Sequence, residues 1–138
     1  MKNSFDEKIL EEAHDWVKVN QKVVLATVIQ TWGSSPRPTG SRMIVNEKGD
    51  FSGSVSGGCV EGSVVLEALD SLKDGKTKVL EYGVSDDDAF AVGLACGGKM
   101  RVLVEPVGKQ MPQNLLQELV DAIAKHESVI YEINTKTM

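Results

Sequence analysis

The sequence has 138 residues, of which 41% are hydrophobic and 25% are charged, with a formal net charge of −5 at pH 7. This length and balance predict one folded domain over residues 1–138 and exclude an intrinsically disordered chain. The negative charge argues against a nucleic-acid partner or an anionic membrane surface, because affinity for phosphate polymers comes mainly from Lys and Arg. No run of about 18 apolar residues is present that could cross a bilayer.

The sequence contains two cysteines, Cys59 and Cys96. So few cysteines argue against a disulfide-stapled secreted scaffold and favour a reducing compartment. Residues 1–16 carry acids among their apolar positions and lack the basic start and apolar run of a secretory signal. We therefore expect a cytoplasmic protein with two free thiols. The alternative is that both cysteines are small buried hydrophobic residues.

Hydrophobic periodicity divides the chain into short helices and strands. Some segments repeat apolar residues every three to four positions, as amphipathic helices do, and others are short β-branched runs bounded by Gly, Pro or Asp, as strands are. The predicted elements are helices over 4–20, 60–74 and from 112, and strands over 23–31, 43–46, 51–55, 76–82, 99–107 and 128–134. This order predicts an α+β fold, or an α/β fold, with one mixed β-sheet packed by helices.

Residues 54–62, SVSGGCVEG, lie between a predicted strand and a predicted helix. The first N–H groups of a helix lack intrahelical partners, and Gly57 and Gly58 would let an anion approach them closely. A thiol at this position, Cys59, has its thiolate form stabilised by the helix dipole. Glu61 in the same turn is either an acid favoured by the dipole or a ligand-facing residue, and both interpretations stay open.

Two further segments carry related chemistry. Residues 93–98, GLACGG, place Cys96 beside paired glycines at a predicted tight bend before a strand. Residues 32–40, WGSSPRPTG, form a predicted loop that offers two serine hydroxyls and the guanidinium of Arg37 to phosphate or carboxylate oxygens. Taken singly, each segment is equally consistent with a glycine bend or a rigid surface loop.

The sequence predicts no metal site. His14 and His126 are distant from both cysteines, and the paired spacings typical of zinc ligands are missing. The acidic run at 86–88 lacks the spacing of a calcium-binding loop and is interpreted as a solvated loop.

Three segments together resemble the N-terminal domain of the XdhC/CoxI family: GSSPRPTGSRMIV (33–45), GSVSGGCVEGSV (53–64) and GLACGGKMRVLVEP (93–106). Their order and separation also match, and the resemblance covers most of residues 20–107. The family's proteins resemble accessory or maturation factors for molybdenum hydroxylases such as xanthine dehydrogenase and carbon monoxide dehydrogenase. The Rossmann-like C-terminal domain of many relatives has no counterpart among the 138 residues, which lack a dinucleotide fingerprint.

The resemblance implies a chaperone that binds the molybdenum cofactor (molybdopterin) transiently, protects it while its terminal sulfur is installed, and delivers it to an apo molybdenum hydroxylase of the xanthine dehydrogenase type. It implies a set of cofactor-binding residues and no catalytic residue. The implied cofactor-binding residues are Ser34, Ser35, Arg37, Gly40, Ser56, Gly57, Gly58, Cys59, Glu61, Cys96, Gly97 and Gly98.

Two other functions remain open at this point. In the first, one cysteine is a nucleophile that accepts or passes on sulfur, which makes the protein an enzyme and needs a thiol of low pKa. In the second, the chain is a structural partner domain of the dehydrogenase complex and both glycine-cysteine segments are architectural. A cysteine desulfurase as a further partner, and a homodimer, also stay open.

Overall fold

The computed structural model of the protein describes residues 5–32, 39–56, 60–83 and 99–107. Its elements are α1 (Phe5–Lys18), β1 (Val23–Trp32), β2 (Arg42–Asn46), β3 (Phe51–Gly53), α2 (Glu61–Asp74), β4 (Lys78–Tyr82) and β5 (Lys99–Pro106). Each agrees in type with the element predicted at that position. The helix predicted from residue 112 and the strand predicted at 128–134 lie outside the described residues.

The five strands form one sheet in the order β3-β2-β1-β5-β4. Every neighbouring pair of these strands is antiparallel. The predicted α+β class is therefore confirmed, whereas the described strands form an antiparallel rather than a mixed sheet. A short turn between β2 and β3 can only join antiparallel strands, and α2 carries the chain from β3 at one edge to β4 at the other, where it pairs beside β5.

The side chain of Asn46 organises the turn between β2 and β3. Its Oδ1 accepts hydrogen bonds from the backbone N–H groups of Lys48 at 2.9 Å and Asp50 at 3.0 Å, which is the local pairing that favours Asn in turns. Its Nδ2 donates to the Oε1 of Gln21 at 2.9 Å. Gly49 takes a positive φ of 86° in the same turn.

Each face of the sheet carries one described helix, because successive side chains of a strand point to opposite faces. Helix α2 packs on β5, β1 and β2, and α1 packs on β1, β2 and β3. The buried residues of the α2 face are Val24, Ala26, Val28, Met43, Val45, Val55, Val60, Val64, Ala68, Tyr82, Met100, Val102 and Val104. The buried residues of the α1 face are Ile9, Leu10, Ala13, Val23, Leu25 and Ile44. Within the described ranges, neither helix is long and apolar enough to cross a membrane.

One end of the sheet collects the ends of all five strands that border the sequence motifs. We call this the motif end: β1, β3 and β4 finish there, and β2 and β5 begin there. The pairings that define it are Thr27 with Arg42, Met43 with Gly53, Trp32 with Lys99, and Tyr82 with Met100. The turn between β2 and β3 and the end of α2 therefore lie at the opposite end.

Candidate functional site

The three sequence motifs are attached to the motif end of the sheet. The first motif leaves β1 at Trp32 and returns at Gly40, whose N–H donates to the backbone oxygen of Val28 at 2.8 Å. The second lies between the end of β3 and the start of α2, and the third lies between the end of β4 and the start of β5. Segments far apart in sequence are thus connected to the same edge of one scaffold.

Three of the twelve predicted cofactor-binding residues lie within the described ranges: Gly40, Ser56 and Glu61. Ser56 and Glu61 are in direct contact through hydrogen bonds, whereas the hydrogen bond of Gly40 goes to β1. Gly40 has a φ of 95° and no atom within 4 Å of where a Cβ would lie, so its backbone conformation, not crowding, requires glycine. The other nine lie outside the described ranges: Ser34, Ser35, Arg37, Gly57, Gly58, Cys59, Cys96, Gly97 and Gly98.

The carboxylate of Glu61 is bound by the residues that follow β3. Its Oε2 accepts hydrogen bonds from the Ser54 hydroxyl at 2.6 Å, the Val55 N–H at 3.0 Å and the Ser56 N–H at 2.9 Å. Its Oε1 accepts a short hydrogen bond from the Ser56 hydroxyl. Glu61 is 7% exposed. The first residue of α2 is therefore fastened to the chain five to seven residues before it.

Ser56 connects the two ends of the glycine-cysteine segment, residues 57–59. While its hydroxyl donates to Glu61, the same oxygen accepts a hydrogen bond from the Val60 N–H at 2.8 Å. Val60 occupies the N-cap position of α2 with no hydrogen bond from its own side chain to the helix. Valine is a poor N-cap residue, and the hydroxyl of Ser56 binds the N–H of Val60 in its place.

These hydrogen bonds keep Glu61 ionised. Burial alone would raise the pKa of this carboxyl, but the hydrogen bonds from the Ser54 and Ser56 side chains and from the backbone of Ser56 and Val55 outweigh it. They lower the pKa from 4.5 to about 2. A carboxylate that accepts several hydrogen bonds is stabilised in its charged form. Glu61 therefore carries a full negative charge at neutral pH.

The start of α2 has both donors and a charge to offer a ligand. The N–H groups of Val55, Ser56 and Val60 already have acceptors within the protein. The first intrahelical bond runs from the Val64 N–H to the Val60 oxygen at 3.0 Å, so the N–H groups of residues 61–63 have no acceptor within the helix. Such donors fit an anionic group, for example the phosphate of molybdopterin, and the Glu61 charge favours an approach away from its own carboxylate.

Two residues at the motif end were not singled out from the sequence. The hydroxyls of Ser63, in the first turn of α2, and Tyr82, at the end of β4, are 3.1 Å apart. Burial and the charges of Glu67 and Glu61 raise the pKa of Tyr82, against the opposing effect of its Ser63 hydrogen bond. Because β3 and β4 are the two edge strands, the first turn of α2 is fastened across the whole motif end. No local sequence signal predicts a contact across 19 residues.

The sequence comparisons identify the family. The sequence model of the XdhC and CoxI family matches residues 16–83. A relative from Escherichia coli (strain K12), the molybdenum cofactor insertion chaperone PaoD, is 33% identical over 104 residues, which are 75% of this chain and 32% of PaoD. The chain belongs to the XdhC and CoxI family. A probable xanthine dehydrogenase subunit from Bacillus subtilis (strain 168) is also 33% identical, over 93 residues that make up 65% of this chain and 28% of that protein.

A solved structure extends the likeness to the fold. The crystal structure of a xanthine dehydrogenase from Bacillus halodurans superposes with a TM-score of 0.66 at 30% identity, covering 88% of this chain and 35% of that chain. This member of the XdhC and CoxI family therefore spans about a third of the length of these relatives. The described residues contain no cluster of His, Cys, Asp and Glu that could hold a metal ion.

Proposed function

We propose that this chain is a chaperone for the molybdenum cofactor, which it binds at the motif end of the sheet and passes to a molybdenum hydroxylase of the xanthine dehydrogenase type. The observation that carries the proposal is the attachment of all three family motifs to one end of one sheet. Two motif segments that each hold a cysteine next to glycines are thereby tethered to a common edge. The names of PaoD and of the xanthine dehydrogenase relatives support the same cargo and partner.

The chemistry of the cargo suits the residues at this end. Molybdopterin carries a phosphate and holds its metal through sulfur, so a binding site needs N–H or guanidinium donors for the phosphate and groups compatible with sulfur around the metal. The start of α2 supplies N–H donors, and Ser34, Ser35 and Arg37 would add hydroxyls and a guanidinium. Cys59 and Cys96 would face the sulfur-rich part of the cofactor.

The direct test is retention of cofactor by the purified protein. The chain is produced in a host that makes molybdopterin, desalted without oxygen, and analysed for molybdenum by mass spectrometry and for pterin by fluorescence after oxidation. We expect the wild-type chain and Asp70→Asn, an exposed control in α2, to retain both, and Cys59→Ala to lose them. Absence of molybdenum and pterin from the wild-type protein would contradict the proposal.

Transfer to an enzyme is a separate step and has its own assay. The loaded chain is mixed with an apo xanthine dehydrogenase-type enzyme, and the appearance of dehydrogenase activity is followed. We expect activity to rise with the amount of loaded chain, and to rise more slowly when the same amount of free cofactor is supplied. Equal rates with free cofactor and with loaded chain would show that the chain does not deliver it.

A further inference from the structure

We propose that Glu61 is a positioning residue, which joins the two ends of residues 57–59 and so holds Cys59 in the arrangement that a ligand meets. The proposed function supplies the identity of that ligand, whereas the hydrogen bonds that make the connection stand independently of it. The family resemblance implies a cofactor-binding role for this residue. The geometry instead points to an action through the segment that Glu61 supports.

The first step of the argument is the closure of the segment. Ser56 and Val60 are the described residues on either side of it, and a 2.8 Å hydrogen bond links them. Glu61 binds both the N–H and the hydroxyl of Ser56. The same side chain therefore fixes the residue before the segment, while its own backbone belongs to the helix that begins after it.

The second step is the rigidity of the two attachments. On the strand side, Ser54 donates its N–H to the backbone oxygen of Arg42 at 3.1 Å and its hydroxyl to Glu61. On the helix side, Ser63 contacts Tyr82 at the far edge of the sheet. Both ends of the segment are thus anchored to the sheet, and the carboxylate of Glu61 connects the two anchors.

The third step is the need for a carboxylate. Four donors converge on Glu61, two from backbone N–H groups and two from hydroxyls. An ionised carboxylate only accepts, through two oxygens with about four lone-pair sites, so it can satisfy all four donors. A glutamine of the same shape would turn an NH₂ group toward at least one of them. Glu61→Gln therefore removes the connection with little change in volume.

The test measures the segment with and without cofactor in the full chain. Amide hydrogen exchange is followed by mass spectrometry on a peptide that spans residues 54–60 and on peptides from β1 and β5. We expect Glu61→Gln to speed exchange in the first peptide by about tenfold, the effect of losing one hydrogen bond to a charged group, and to leave the other peptides unchanged. Glu67→Gln, farther along the same helix, controls for the loss of one charge.

Cofactor retention then separates positioning from a purely structural role. We expect Glu61→Gln to retain about tenfold less molybdenum than Glu67→Gln under matched loading, in proportion to the faster opening of the segment. Ser56→Ala, which removes the hydroxyl bound to both Glu61 and Val60, should give the same two effects.

Three results would overturn the inference. The first is exchange at residues 54–60 that is the same in Glu61→Gln and Glu67→Gln, and the second is exchange that rises equally in every peptide. The third is undiminished retention of cofactor by Glu61→Gln. If the wild-type chain retains no cofactor, the proposed function fails, and the exchange comparison, which needs no cofactor, still decides whether Glu61 holds the segment.

Discussion

Gly53 lies so close to Arg42 that a Cβ on Gly53 would stand 2.5 Å from the Arg42 backbone oxygen. Gly53 also has a φ of 89°, a conformation that residues with a Cβ rarely adopt. Gly53→Ala should therefore destabilise the protein by about 2 kcal/mol or more, from strain and from displacement of β2. Urea unfolding followed by circular dichroism measures this loss.

Gly62 provides the matched control for that substitution. It lies in α2, is exposed, and has no atom within 4 Å of where a Cβ would lie. Gly62→Ala should stabilise the protein by about 0.5 kcal/mol, because alanine loses less backbone entropy in a helix. Equal effects of the two substitutions would show that the contact between Gly53 and Arg42 is not the cause.

The stability of the protein should depend on pH through Glu61. Its pKa falls from 4.5 to about 2 on folding, so its contribution is fully present above about pH 4.5 and is lost as the pH falls toward 2. The shift corresponds to about 3 kcal/mol. The difference in unfolding free energy between the wild-type chain and Glu61→Gln should therefore be large at pH 7 and shrink by about that amount as the pH approaches 2. A difference that stays constant over this range would contradict the assignment.

The hydroxyls of Ser63 and Tyr82 should be energetically coupled. Tyr82 is 4% exposed, and removal of one member of a buried hydrogen-bonded pair leaves the other without its partner. Unfolding of Ser63→Ala, Tyr82→Phe and the double variant should give a coupling free energy of about 0.5–1 kcal/mol. Additive effects of the two substitutions would show that the 3.1 Å contact contributes nothing to stability.

Ser71 offers the opposite case in the same helix. Its side chain is fully buried and its hydroxyl has no hydrogen-bond partner among the described residues. Ser71→Ala removes a desolvated hydroxyl and improves helix propensity, so we expect a gain of about 1 kcal/mol in the free energy of unfolding. Thermal and urea unfolding against Ser63→Ala, which loses a bonded hydroxyl, tests the contrast directly.

The sequence predicted the elements where short-range chemistry decides them. The β-branched run of β1 and the glycine that ends α2 are local signals, and Gly75 indeed caps the helix with a φ of 71°. The predicted end of β3 at residue 55 was two residues too late, because Gly53 takes a positive φ against β2 and ends the strand. That contact joins residues eleven apart and leaves no mark on the local pattern.

The site was predictable as a family resemblance but not as a geometry. The sequence left the carboxylate of Glu61 either at the helix dipole or facing a ligand. Its bonds to residues 54–56 depend on how the chain folds back after β3. The shared motif end likewise follows from the strand order, which depends on pairings between residues up to about 80 positions apart, such as Val24 with Pro106.

The central claim is that the motif end brings Cys59 and Cys96 to one pocket that holds the cofactor. The most direct measurement treats the native chain with a short bifunctional thiol reagent and maps the products by mass spectrometry of peptides. We predict an intramolecular cross-link between Cys59 and Cys96 that bound molybdenum cofactor suppresses. Separate modification of the two cysteines, with no cross-link and no protection by the cofactor, would contradict the account.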